Sequence, residues 1–167
     1  MTMQLNPSGF KAIRRDHHLL QEEVHDSYKM KGKLHEPTVC PDCGAVFHAG
    51  HWQWMAKPEK AHETLCPACH RMHDHFPAGF VSITGEFFAA HEAEILQLIR
   101  HLEAKEKANH PLQRIMDIEK TKDGTLVTTT DIHLARGIGD ALRHAYQGKL
   151  DFHYNPEQNL LRVSWMH

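Results

Sequence analysis

"LCPACHRMHDH" (Leu65–His75) sets two cysteines and three histidines within eleven positions. Its Cys-Pro-Ala-Cys turn has a counterpart upstream in "CPDCG" (Cys40–Gly44), so the full spacing is C-x2-C-x22-C-x2-C. Each such turn offers two thiolates, and two turns close a tetrahedral shell around one ion. Cys40, Cys43, Cys66 and Cys69 are therefore expected to hold one structural Zn2+, because four thiolates leave no position open for water or substrate. Proline after the first cysteine of each pair fixes a tight turn. Gly44 suits the left-handed backbone that such a knuckle needs, and His70, at the equivalent place, is among the residues that tolerate φ > 0. The ion then replaces the core that a segment of about 40 residues cannot build.

Two competing readings of the cysteines are weaker. Disulfides belong to oxidising compartments, yet the opening "MTMQLNPSGFKAIRRDHHLL" lacks the apolar run of a secretory signal. No stretch approaches the roughly 20 apolar residues of a membrane span, so a cytoplasmic protein away from membranes is expected. Paired C-P-x-C knuckles also hold iron in rubredoxins. Here, however, they are joined to a long helix and a further sheet, which favours zinc.

Outward from the cysteines, four segments separate by pattern. Residues 1–35 form an N-terminal arm with little periodicity, ordered only against something else. Residues 36–83 hold all four cysteines and five of the eight prolines, punctuation that suits a small zinc ribbon of loops and short strands. Residues 84–111 place Phe88, Ile95, Leu98, Ile99 and Leu102 on one helical stripe. Thr84 can cap this helix, Glu103 and Lys107 are spaced to pair, and Pro111 stops it. About 25 residues at 1.5 Å each would give a connecting rod of roughly 37 Å that also offers a packing surface.

Residues 112–167 alternate between strand and turn patterns. "RIMDIEKTKDGTLVTTT" reads as a hairpin turning at Asp123-Gly124. Asp131 caps and Gly148 ends a following helix. In the last hairpin Leu150, Phe152 and Tyr154 share a face that matches Leu161, Val163 and Trp165. The expected fold is thus α+β: an N-terminal four-cysteine zinc ribbon, a long connecting helix, and a C-terminal strand-strand-helix-strand-strand domain with its helix on a four-stranded sheet. Gly137 and Gly139 interrupt that helix at about 1 kcal/mol each relative to alanine, implying a close approach by a sheet strand or by an RNA backbone.

The chain carries a net charge of −2, without the strongly basic face usual in nucleic-acid binders. Any RNA contact must therefore come from local cations. Lys29, Lys31 and Lys33 in the arm, Arg71 beside the second cysteine pair, and Arg136 and Arg143 on the last helix are the candidates. Arg136 and Arg143 lie seven apart and share a helical face. The tryptophans of "HWQW" (His51–Trp54) can stack on bases, although in a small module at least one belongs to the core. Histidine supplies 17 of the 167 residues, so the chain is histidine-rich, and a second metal site among His48, His51, His62, His70, His73 and His75 is an alternative to a hydrated surface. No phosphate-loop ending and no nucleophile elbow occur, so a non-enzymatic role is expected.

"EPTVCPDCGAVFHAGHWQW", "AHETLCPACHR", "HPLQRI" and "TTTDIHLARGIGDALRHAYQGKLDFHY" resemble a bacterial group of uncharacterised zinc-ribbon proteins. That group is commonly described as distantly related to the nuclear export adaptor of the large ribosomal subunit, first named from nonsense-mediated mRNA decay. The resemblance to the bacterial group spans residues 25–165; that to the adaptor rests on the cysteine knuckles and "HLARGIGDAL". It implies Cys40, Cys43, Cys66 and Cys69 as zinc ligands, and ribosomal RNA or the large ribosomal subunit as partner, in assembly or stress. The adaptor is thought to carry two four-cysteine sites, whereas this chain has cysteines for one. Two alternatives stand beside that function: a zinc-stabilised protein–protein adaptor without nucleic acid, and metal handling through the histidines.

Overall fold

The computed structural model describes Lys11–Ile13, Tyr28 and residues 34–167. These form an α+β structure with two sheets and four helices. The larger sheet has six strands in the order β1-β9-β10-β6-β8-β7. It contains the two hairpins read from the sequence: β7 (Ile115–Lys120) with β8 (Gly124–Thr129), and β9 (Lys149–Asn155) with β10 (Leu160–Met166). Register in the second hairpin follows the apolar alternation, pairing Leu150 with Trp165, Phe152 with Val163 and Tyr154 with Leu161. All six of these side chains are buried.

The hairpins are not neighbours. β6 (Gly79–Thr84) lies between them, parallel to β10 and antiparallel to β8. The segment boundary expected at 83/84 therefore falls inside the strand at the centre of the larger sheet. The physical reason is visible in its burial: Val81 and Ile83 are fully buried while Phe80, Ser82 and Thr84 are partly exposed, a period-2 pattern that needs a covered face. Part of the expected arm joins the same sheet, since β1 (Lys11–Ile13) pairs antiparallel with β9 at the edge.

α4 (Ile132–Tyr146) packs across this sheet, burying Ile132, Leu134, Ala135, Ile138 and Leu142. The Asp131 side chain caps it by accepting from the Leu134 N–H at 3.0 Å. A Cβ on Gly139 would meet Val163 Cγ1 at 2.7 Å, so the close approach is by the sheet. Gly137 has nothing within 4 Å of an added Cβ.

The single rod expected over 84–111 is broken. α2 (Glu86–Ala90) and α3 (Glu92–Asn109) meet at His91, whose backbone leaves helical geometry and whose ring stacks on Phe87. α3 has 18 residues, about 27 Å at 1.5 Å each. Thr84 ends β6 and Gly85 takes the cap position instead, while the helix stops just before His110 and Pro111, as expected. Phe88, Ile95 and Ile99 are buried in the same core as the sheet residues, so this stripe is a packing face. Glu103 turns from the expected Lys107 spacing to accept the Ile115 N–H, joining α3 to β7.

The smaller sheet runs β4-β3-β2-β5, from His51–Gln53, Val46–His48, Thr38–Val39 and His62–Glu63. α1 (Pro67–Asp74) follows it. Trp54 Nε1 donates to the Lys107 carbonyl at 2.7 Å, tying this region to the end of α3.

Candidate metal centre

The first cysteine pair leaves β2 through a tight turn. The Gly44 N–H donates to the Cys40 carbonyl at 2.9 Å, and the Cys40 N–H to that of Ala45 at 2.8 Å. Gly44 has φ +80, the left-handed conformation its sequence position called for. The second pair is built differently. Cys66 is the N-cap of α1, Pro67 opens the helix with its preset φ, and the Cys69 N–H donates to Cys66 Sγ at 3.3 Å. His70 is therefore a helical residue and not a knuckle residue; the left-handed histidine here is His75, at the end of α1 with φ 51.

The four Sγ atoms lie within 4.8 Å of one another, and Cys43 and Cys66 are 3.8 Å apart. A tetrahedron with metal–sulfur bonds of about 2.3 Å has sulfur–sulfur edges of about 3.8 Å, whereas a disulfide needs about 2.05 Å. All four thiols are free of disulfides, and the residues present fit a four-thiolate ion. Cys40, Cys66 and Cys69 are buried and Cys43 is half-buried, with Trp52, Leu65 and Leu112 packed around them.

A residue far along the chain completes the surroundings. Arg114, 9% exposed, donates from Nη1 to Cys69 Sγ at 3.3 Å, and from Nη2 to Cys66 at 3.2 Å and Cys43 at 3.4 Å. Burial opposes its charge, but the bond to Cys69 and the nearby sulfurs outweigh that and hold it protonated. Burial pushes the Cys66 and Cys69 thiols up, with Arg114 offsetting part of the effect. Burial acts the same way on Cys40, yet backbone N–H groups of Cys66, Cys43 and Asp42 prevail and bring it down to about 7. Arg114 was not legible in the sequence, because nothing in "HPLQRI" marks its side chain as facing sulfur.

The described histidines do not converge on a site. Among the described residues, the four cysteines are the one group whose ligand atoms come together. His73 faces Asp42, His70 faces Asp74, and His62 stacks on His35.

Of the six cations expected to meet RNA, Lys29, Lys31 and Lys33 lie outside the described residues. Arg71 is not a surface cation: it is 2% exposed, donates to the Phe76 carbonyl at 3.1 Å, and lies 4.2 Å from the Tyr28 ring centroid. Arg136 is also buried, over the Phe152 ring at 5.2 Å, so it does not present a face with Arg143. Guanidinium planes pack well on aromatic rings, and that packing draws both inward. Arg143 is half-buried and donates to Gln147 Oε1 at 2.7 Å.

Beside the cysteines, a cleft of about 480 Å³ opens between the smaller sheet and the turn after α3. Phe47, His51, Trp52, His110, Gln113 and Asp131 contribute to its walls. Trp52 packs edge-on against Phe47 and reaches the cysteine cluster, which makes it the core tryptophan; Trp54 is more exposed. No helix among the described residues is long and apolar enough to cross a membrane. Comparison with known proteins gave no matching family model, no matching curated protein and no matching solved structure.

Proposed function

We propose that the chain is a non-enzymatic cytoplasmic protein in which a zinc ribbon, folded by one Zn2+ on Cys40, Cys43, Cys66 and Cys69, serves to bind RNA on the large ribosomal subunit. A shell of four thiolates has no open coordination position, which supports a structural ion. The partner follows from the resemblance of the cysteine knuckles and the "HLARGIGDAL" helix to the ribosomal export adaptor's relatives.

The observation that carries the binding mode is the cleft beside the metal centre. Its aromatic walls, Phe47 and Trp52, and its polar groups, His51, His110 and Gln113, suit an unpaired base that stacks and accepts or donates hydrogen bonds. Arg136 is buried, and Arg71, although it lines the cleft, is 2% exposed and engaged by the Phe76 carbonyl and the Tyr28 ring, so in this reading stacking carries the contact made in the cleft. Salt dependence should then be shallow, because each phosphate contact on a single strand contributes a log–log slope of roughly −0.7.

The same buried arginines favour a second reading, a protein–protein adaptor. Trp54, Met55, Met72 and Phe76 are exposed and would serve such a partner. One experiment separates the two: untagged protein from its own cells is run on sucrose gradients at low and high salt, with and without ribonuclease. Migration with the large subunit, little changed by salt and lost after ribonuclease, is the expected result. Migration with a protein after ribonuclease would establish the adaptor instead, and protein that stays at the top of every gradient would refute both.

A further inference from the structure

We infer that Arg114 is a working part of the metal centre, a positioning residue that balances the charge of the thiolate shell and locks it to the larger sheet. The inference rests on the zinc reading proposed above. A divalent ion with four thiolates carries a net charge of about −2, and burying that charge without compensation is costly. Arg114 supplies one positive charge and three N–H···S contacts, at 3.2, 3.3 and 3.4 Å. The remaining sulfur, on Cys40, lies in the same buried cluster. Three of the four sulfurs are thereby hydrogen-bonded by one guanidinium.

The guanidinium is also held by groups outside the cysteine cluster. Its Nε donates to the Pro111 carbonyl at 2.9 Å. The Arg114 N–H donates to Thr130 Oγ1 at 3.0 Å, and the Arg114 carbonyl accepts from the Thr130 N–H at 2.9 Å. Thr130 lies just beyond β8 of the larger sheet, so the fork that grips three sulfurs is anchored outside residues 36–83. A lysine would bring the charge but not the planar fork. Hydrogen bonds to a thiolate withdraw electron density from sulfur, which slows attack by protons and oxidants and keeps the ion bound.

The test uses the full chain as wild type, Arg114→Lys, Arg114→Met and Thr130→Val. Zinc affinity is measured by chelator competition, sulfur-to-metal charge-transfer bands after cobalt substitution, and stability by thermal unfolding. Arg114→Met should lose about 10–100-fold in zinc affinity, the usual cost of removing such an outer partner. Its cobalt bands should move to lower energy, and Arg114→Lys should recover part of the affinity but not the bands. Thr130→Val loosens the same backbone yet keeps the guanidinium, so it should lower the melting temperature while leaving the bands in place. Should Arg114→Met fail to fold, the Arg114→Lys bands decide: unchanged bands overturn the inference. Equal affinity loss in Thr130→Val and Arg114→Met would also overturn it, reducing Arg114 to scaffold. Wild-type protein that takes up neither ion would instead overturn the zinc reading itself.

Discussion

Alanine at Gly137 and at Gly139, two residues apart in α4, should move stability in opposite directions. Both positions are interior to the helix, where glycine costs about 1 kcal/mol relative to alanine. At Gly137 an added Cβ meets nothing within 4 Å, so that amount is regained in full. At Gly139 the Cβ would stand 2.7 Å from Val163 Cγ1, 3.0 Å from Leu150 Cδ1 and 3.3 Å from Phe152 Cε1. Carbon atoms prefer about 3.5–4.0 Å, and all three neighbours are buried residues of the paired strands β9 and β10. Val163 is β-branched and has little rotamer freedom to retreat. Overpacking of this kind costs about 1–3 kcal/mol, which cancels or exceeds the helical gain. The two variants should therefore differ by about 1–3 kcal/mol, or about 2–12 °C in melting temperature for a chain of this size. Thermal unfolding of the full-length protein, followed by circular dichroism, measures the gap. If the two melt together above wild type, α4 does not sit on β9 and β10 as described.

Arg71→Gln should destabilise the fold around α1 by about 2–4 kcal/mol, because it removes a buried charged donor from the Phe76 carbonyl and a guanidinium from the Tyr28 ring. Urea unfolding checks this, and unchanged stability with lost binding would restore Arg71 as a contact residue. Metal uptake should release at least two protons at neutral pH, since burial raises Cys66 and Cys69 and keeps both as thiols in the metal-free protein. Affinity should then rise with pH, by at least two decades per unit around neutrality. Below that, Cys40, with its pKa at about 7, adds a further proton and steepens the fall. Calorimetry in buffers of different ionisation heat counts the protons, and fewer than two would refute the assignment.

What the sequence made legible was local and periodic. The Cys-x-x-Cys spacing marked the four sulfurs that come together, and strict alternation in residues 150–165 set the register of the last hairpin. β6 shows the limit of that reading. Val81 and Ile83 alternate with Ser82 and Thr84 like any half-buried strand, but alternation does not name a partner. The partners are β10, about eighty positions downstream, and β8, and grouping residues 36–83 around the cysteines hid both pairings. Arginines were the harder case. The composition of "CHRMHDH" presents Arg71 as a surface cation, and only the aromatic rings of Tyr28 and Phe76, on either side in the chain, draw it inward. Arg114 follows the same logic with sulfur in place of rings. A guanidinium with a long apolar stem goes wherever charge and hydrogen-bond acceptors are buried together, and such a place exists only after distant segments have met. The metal centre thus draws on more than its ligand segment: residues 40–69 supply the sulfurs, and Arg114, fixed by Pro111 and Thr130, supplies the opposite charge.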